Sequence, residues 1–264
     1  MCGRYQLALP GRTLANLLDA ELAAGDVQPT WNAAPTQLLP VLGLSADGRR
    51  VIQPAEWGLV PGWARLPGRA TRPLINARAE TVAEKASFRQ AVRTGRVLVP
   101  STGFYEWCGP KGAKDPWAIR VRGEAVDPAT GERLGHHATQ EEIAEPLLIA
   151  GIAEEWTDTD NVPGLTFTVL TTPPNDLCAP IHDRMPAILD AEDARAWLET
   201  PPEATDLLLE LLRPFPSERM ETWMVSRAVN DARSNGAELA RPVPGGGGRS
   251  LGDGPAESAE GTLF

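Results

Sequence analysis

Cysteine is scarce in this chain, with three in 264 residues, at positions 2, 108 and 178. That count leaves no disulfide framework and suits a reducing compartment. The three also lack the paired close spacing of a zinc site. Cys178 and His182 are four apart, but Pro180 between them argues against a shared helix face, so no metal or other cofactor is expected. No apolar run approaches the ~18–20 residues of a membrane span. The N-terminus lacks the basic and apolar regions of a signal peptide. These absences point to a cytoplasmic protein with no membrane partner. Positive charge is also in deficit, at a net −10, which on its face argues against a nucleic-acid partner.

The distribution of charge alters that last inference. Residues 124–145 carry Glu124, Asp127, Glu132, Glu141, Glu142 and Glu145 against Arg133 alone. The end of the chain is acidic as well. Between Pro61 and Val99, by contrast, seven arginines and Lys85 face only Glu80 and Glu84. A basic middle with acidic appendages is compatible with a local anion-binding face, although charge alone reads equally well as a solvated surface.

Patterning predicts a β-rich chain. Leu14, Leu17, Leu18 and Leu22 recur at helical spacing, with Thr13 as N-cap. Residues 31–36 read as a loop leading to apolar strands at 37–44 and 51–58. Residues 81–94 read as a helix with Phe88 and Val92 on one face. Strands are expected at 96–100, 117–121, 147–152, 165–172 and 223–225, and short helices at 191–198 and 203–212. Residues 123–146 read as an inserted acidic loop, and 244–264 as a glycine-rich, acidic, disordered tail. The expected fold is therefore α+β: a single β-rich domain over 1–243, with short strands in a barrel-like mixed arrangement and a few peripheral helices.

The first residues, Met1-Cys2-Gly3-Arg4-Tyr5, hold the most distinctive chemistry. Removal of Met1 would leave Cys2 with a free α-amine and a thiol on adjacent carbons, titrating near ~8 and ~8.5 when unperturbed. An amine condenses with an aldehyde to a Schiff base, and a 1,2-aminothiol can close it to a thiazolidine. No internal lysine or cysteine offers both nucleophiles. Alone, Cys2 reads equally as an early residue of a frayed terminus. Three further polar residues sit among apolar or aromatic neighbours: Asn76, Glu106 (between Tyr105 and Trp107) and His182. A carboxylate flanked by aromatics has its charged form disfavoured, and a histidine near neutrality complements it as a base. Each alone also fits a turn, an edge strand or a satisfied loop histidine.

Seven ordered motifs remove that ambiguity: Cys2-Gly3-Arg4-Tyr5, Asn32-Ala33-Ala34-Pro35-Thr36, Trp57-Gly58-Leu59-Val60-Pro61-Gly62-Trp63, Asn76-Ala77-Arg78-Ala79-Glu80-Thr81, Gly103-Phe104-Tyr105-Glu106-Trp107, Ile181-His182-Asp183-Arg184-Met185-Pro186 and Val225-Ser226-Arg227-Ala228-Val229. Through them the chain resembles the SOS response-associated peptidase family, or abasic-site processing proteins, from Cys2 to about Pro242. The resemblance implies a protein that binds single-stranded DNA and traps abasic sites through Cys2; a monomer is expected. It implies that Asn76 positions the amine and sugar while Glu106 and His182 shuttle protons. Gly3, Arg4, Asn32, Arg78, Thr171 and Arg184 would contact the DNA, and Trp63 would stack on or wedge against a base. Two alternatives stay open: a cysteine autopeptidase or N-terminal-nucleophile hydrolase, and a non-catalytic single-strand-binding module. The sequence departs from the family at Thr30, where arginine is common, in the length of the acidic loop, and in the added tail.

Overall fold

A computed structural model describes residues 2–23, 27–64, 73–157 and 163–244. In chain order the elements are β1 (Tyr5–Leu7), α1 (Gly11–Leu18), β2 (Glu21–Leu22), β3 (Thr30–Ala33), β4 (Leu38–Leu44), β5 (Arg50–Trp57) and β6 (Asn76–Arg78). They continue with α2 (Ala91–Thr94), β7 (Arg96–Ser101), β8 (Gly103–Cys108), β9 (Asp115–Val121), β10 (Glu124–Val126) and β11 (Arg133–His137). The last are β12 (Leu147–Thr157), β13 (Pro163–Thr172), β14 (Met185–Pro186), β15 (Ile188–Leu189), α3 (Ala191–Glu199), α4 (Thr205–Leu208) and β16 (Met220–Met224).

Strands β5, β4, β7, β12 and β13 lie side by side, and β13 returns to β5 through Thr166↔Glu56 and Phe167↔Trp57, closing a five-stranded barrel. Continuous apolar runs such as Val97-Leu98-Val99 bury on both faces, as barrel closure requires. A second sheet, in the order β16-β9-β8-β1-β3, packs on the first through one shared core. At the junction Tyr5 leans on Trp57 (centroids 5.2 Å apart), and Trp57 stacks on Phe167 (6.1 Å). All three rings are fully buried, and the Trp57 indole N–H donates to the Ile75 carbonyl at 2.9 Å. This ties the strand that begins the chain to the barrel wall that carries Asn76. Gly58 follows Trp57 at φ +138°, where a Cβ would stand 2.5 Å from Pro73.

The α+β, strand-rich class matches the sequence reading, but several elements do not. Thr30–Ala33 is a strand paired with β1, not a loop, because Asn32 and Ala33 bury against it. Helix α1 starts at Gly11 with Pro10 as cap, while Thr13 sits inside it and donates its hydroxyl to the Pro128 carbonyl. The helix stops at Asp19, in the left-handed region, so Leu22 belongs to β2. Of residues 81–94 only Ala91–Thr94 is α-helical. Phe88 and Val92 do bury together, and mixed turns suffice to bring them there. Residues 203–212 divide into α4 and flanking 3₁₀ turns.

The acidic segment is not irregular throughout, since β10 and β11 form an antiparallel hairpin. Arg120 straps it down. Its guanidinium donates to the carbonyls of Ala138, Thr139 and Glu142, ion-pairs with Glu221 at 2.6 Å, and lies 5.1 Å from the Trp223 ring centre. Among the described residues no helix is long and apolar enough to cross a membrane. The predicted tail beyond 244, and Arg65, Arg69 and Arg72 of the basic stretch, lie outside the described residues. Arg120→Met should strand a half-buried Glu221 and three carbonyls together. It is expected to lower unfolding free energy by about 3–5 kcal/mol in urea titrations, where a surface pair would cost under about 1.

Candidate active site

Strand β1 pairs antiparallel with β8 through Tyr5↔Phe104 and Gln6↔Gly103, and the Tyr105 N–H donates to the Arg4 carbonyl at 3.0 Å. That register carries the chain preceding β1 along the end of β8, which brings Cys2 to Glu106. Cys2 is fully buried. Burial, and after it the Glu106 charge, push its thiol well above the usual range, so it stays protonated.

Glu106 is 3% exposed. Burial pushes its carboxyl up to about 7, against the opposing pull of Lys114 in the turn between β8 and β9. His182 follows the turn at 175–181, with Nε2 4.0 Å from Glu106 Oε2. The Arg184 N–H donates to His182 Nδ1 at 3.0 Å, which in the neutral ring leaves the proton on Nε2, facing Glu106. Exposed Asp183 lies 2.9 Å from the same Nδ1 and favours the charged ring, but burial dominates and lowers the pKa of His182. The pair is thus a carboxyl poised near neutrality and a mainly neutral imidazole.

Asn76 comes from β6, which pairs parallel with β13 at Val169↔Asn76. Both polar atoms of its amide are buried, with no hydrogen-bond partner among the described residues. A buried amide left so is costly, and a ligand that accepts and donates would relieve it. On the same strand pairing Thr171 stands opposite Arg78. Arg184 makes a two-pronged contact with Glu80, at 2.5 and 2.8 Å, and also donates to the Thr171 carbonyl.

A family model described as SOS response associated peptidase (SRAP) matches residues 1–232. The chain belongs to this family. Among SRAP relatives, Abasic site processing protein YoqW of Bacillus subtilis is 33% identical over 244 residues, spanning 90% of this chain and 98% of that one. Abasic site processing protein HMCES of Rattus norvegicus is 31% identical over 272 residues, spanning 92% and 76%. A crystal structure of a Bacteroides thetaiotaomicron protein superimposes with a TM-score of 0.73 at 25% identity, covering 92% of this chain and all of that one.

Contacts among the SRAP motif residues link them in three groups, the first two joined by the bond from the Arg184 N–H to His182. Cys2 is buried beside Glu106, and His182 lies 4.0 Å from that carboxylate. Asn76, Arg78, Thr171 and Arg184 gather at the β6–β13 edge. Arg4 and Asn32 form a separate strut. Arg4 donates to Asn32 Oδ1 at 2.6 Å and to the Val229 carbonyl at 2.7 Å, while Asn32 Nδ2 donates to the carbonyls of Asp231 and Ser234. Asn32 is 1% exposed. Gly3 is half-buried between Cys2 and Arg4, Arg78 is exposed, and Trp63 stands on the loop after β5.

Sequence reasoning missed Glu80, Lys114 and Cys178. Burial and the nearby Glu106 push the Cys178 thiol up to about 12, which places it beside the same carboxylate. Its four-residue spacing from His182 was the one available signal, and Pro180 between them argued against reading the two as a metal site. Among the described residues no cluster of three or more His, Cys, Asp or Glu side chains could hold a metal ion.

The raised pKa of Glu106 has a consequence for stability. Between pH 4.5 and about 7 the folded protein retains a proton that the unfolded chain releases, so stability falls as pH rises through that window. Glu106→Gln should therefore be more stable than the parent at pH 8, by up to about 3 kcal/mol, with that advantage disappearing below pH 4.5. Urea unfolding across a pH series measures it.

Proposed function

We propose that the chain captures abasic sites in single-stranded DNA by forming a covalent bond through Cys2. The observation that carries this reading is that the buried Cys2 thiol and Glu106 carboxyl lie close together, with the His182 imidazole 4.0 Å from that carboxylate. The names of the SRAP relatives support the same substrate.

Once Met1 is removed, the Cys2 amine attacks the aldehyde carbon of the open abasic sugar. Loss of water gives an imine. The thiol sulfur then adds to the imine carbon while its proton passes to nitrogen, closing a thiazolidine with no atom left over. Opening the sugar needs one proton delivered to the ring oxygen and one removed from the anomeric hydroxyl. Glu106, near its midpoint at neutral pH, and a neutral His182 supply both functions. The unsatisfied Asn76 amide holds the amine and sugar hydroxyl in place. Arg78 and Arg184 meet the phosphates, Arg184 by exchanging Glu80 for a phosphate with the same two-pronged geometry. Arg4 and Asn32 keep the Cys2 segment against β8, and Trp63 offers its exposed ring to a base. If the thiol is missing, the imine has a competing exit by β-elimination and strand cleavage.

The protonated thiol distinguishes this reading from a cysteine peptidase, which needs a thiolate nucleophile of lowered pKa. The protein is proposed to act in the cytoplasm, on the nucleoid, as a monomer.

On denaturing gels with an abasic oligonucleotide, mature protein should give a stable shifted band. Cys2→Ala should lose that band while retaining some strand cleavage. A tag left in front of Cys2 should abolish both, and a normally crosslinking tagged protein would overturn the aminothiol mechanism. Arg78→Ala should reduce the slope of log affinity against log salt by about 0.7, the contribution of one single-strand phosphate contact.

A further inference from the structure

Trp63 is 58% exposed, and beside it opens a groove of about 590 Å³ lined by Gln53, Gln90, Thr94 and Glu154, among others. A ring bordering open space is poorly fixed by its own packing, so its orientation depends on the backbone beneath it. That backbone is held from the β12–β13 hairpin. The Gly58 N–H donates to the Phe167 carbonyl at 2.8 Å, and the Val60 N–H to Thr166 Oγ1 at 3.1 Å. The Gly62 N–H donates to Glu154 Oε2 at 2.6 Å, a charge-assisted bond. Glu154 and Thr166 are directly opposed across β12 and β13, and the Thr166 hydroxyl also reaches the Glu154 carbonyl. Two facing residues of one hairpin thus staple the loop, one of them at the residue immediately before Trp63.

A carboxylate here has no favourable direct role toward a polyanion. If Glu154 acted on DNA only through its charge, removing it would tighten binding. We infer that Glu154 is a positioning residue for Trp63: it fixes the turn that presents the indole to a base of bound single-stranded DNA, with Thr166 as the second staple. This rests on the DNA-binding role proposed above for Trp63.

Fluorescence anisotropy with a single-stranded oligonucleotide carrying a tetrahydrofuran abasic analogue, which binds but forms no imine, reads affinity alone. Trp63→Ala should weaken binding about 5- to 100-fold, the range for losing one stacked base. Glu154→Ala should weaken it about 3- to 10-fold, a part of that stacking contribution. Glu154→Gln, which keeps the acceptor and removes the charge, should bind as the parent or tighter. In the Trp63→Ala background, Glu154→Ala should cause no further loss, since the two act as one unit. Crosslinking at saturating abasic DNA should be unchanged in Glu154→Ala. Should Glu154→Ala fail to fold, Thr166→Val provides the same test, with a smaller loss that Trp63→Ala again cancels. If Trp63→Ala binds normally, the role of Trp63 and this inference fall together. If Trp63→Ala binds weakly but Glu154→Ala binds as well as the parent or better, the inference alone is overturned. The inference is likewise overturned if Glu154→Ala loses the same factor in both backgrounds.

Discussion

A carboxylate held out of water at the end of β8 is the constraint on which the rest of this structure depends. Glu106 is almost fully buried, and the cost of ionising it there raises its pKa to about 7. That cost is kept in place by the architecture. Tyr5, Trp57 and Phe167 seal one side of the junction between the sheet and the barrel. The bond from the Tyr105 N–H to the Arg4 carbonyl, and the Arg4–Asn32 strut, press the Cys2 segment against the same strand. Relaxing any of these would admit water, return Glu106 to an ordinary carboxylate and separate it from Cys2. Burial costs stability locally and leaves a carboxyl that exchanges its proton near neutral pH.

Cation placement follows a related logic. An acidic chain can still host a polyanion if the cations that meet it are pre-oriented, and two arginines here are oriented by the protein's own groups. Glu80 holds the Arg184 guanidinium in the two-pronged geometry that a phosphate would require. Arg4 is held by Asn32 and by the carbonyls of Val229 and Asn230. Arginine serves such sites because its planar fork loses little freedom on exchanging one planar or tetrahedral oxyanion for another.

The burial of the candidate carboxylate was legible in the sequence, for a physical reason. Polar residues such as Glu106, placed between aromatic neighbours on a strand, announce burial before any coordinates exist. Alternating β-branched residues placed β13, and continuous apolar triplets placed β7. What could not be read were features made by distant partners. The bond from Arg4 to Val229 spans 225 positions, and the Arg184–Glu80 pair spans 104. Nothing local in either arginine says whether it faces a phosphate or a protein oxygen. The helix over 81–94 was over-extended because Phe88 and Val92 bury on one helical turn, linked by the bond from the Val92 N–H to the Phe88 carbonyl, while the backbone before Ala91 runs as turns. The β10–β11 hairpin was missed because its acids were read as those of a solvated loop, whereas Glu124 accepts from the Gly135 N–H, Glu145 pairs with Arg133, and Arg120 holds the adjoining carbonyls from outside the segment.

The central claim is that the burial of Glu106 tunes it for the chemistry of Cys2. Its most direct test is the pH dependence of single-turnover adduct formation between the mature protein and an abasic oligonucleotide. The account predicts an inflection near pH 7 that disappears in Glu106→Gln, with the rate at neutral pH reduced roughly 10²–10⁴-fold. A profile that Glu106→Gln leaves unchanged in shape and rate would contradict it.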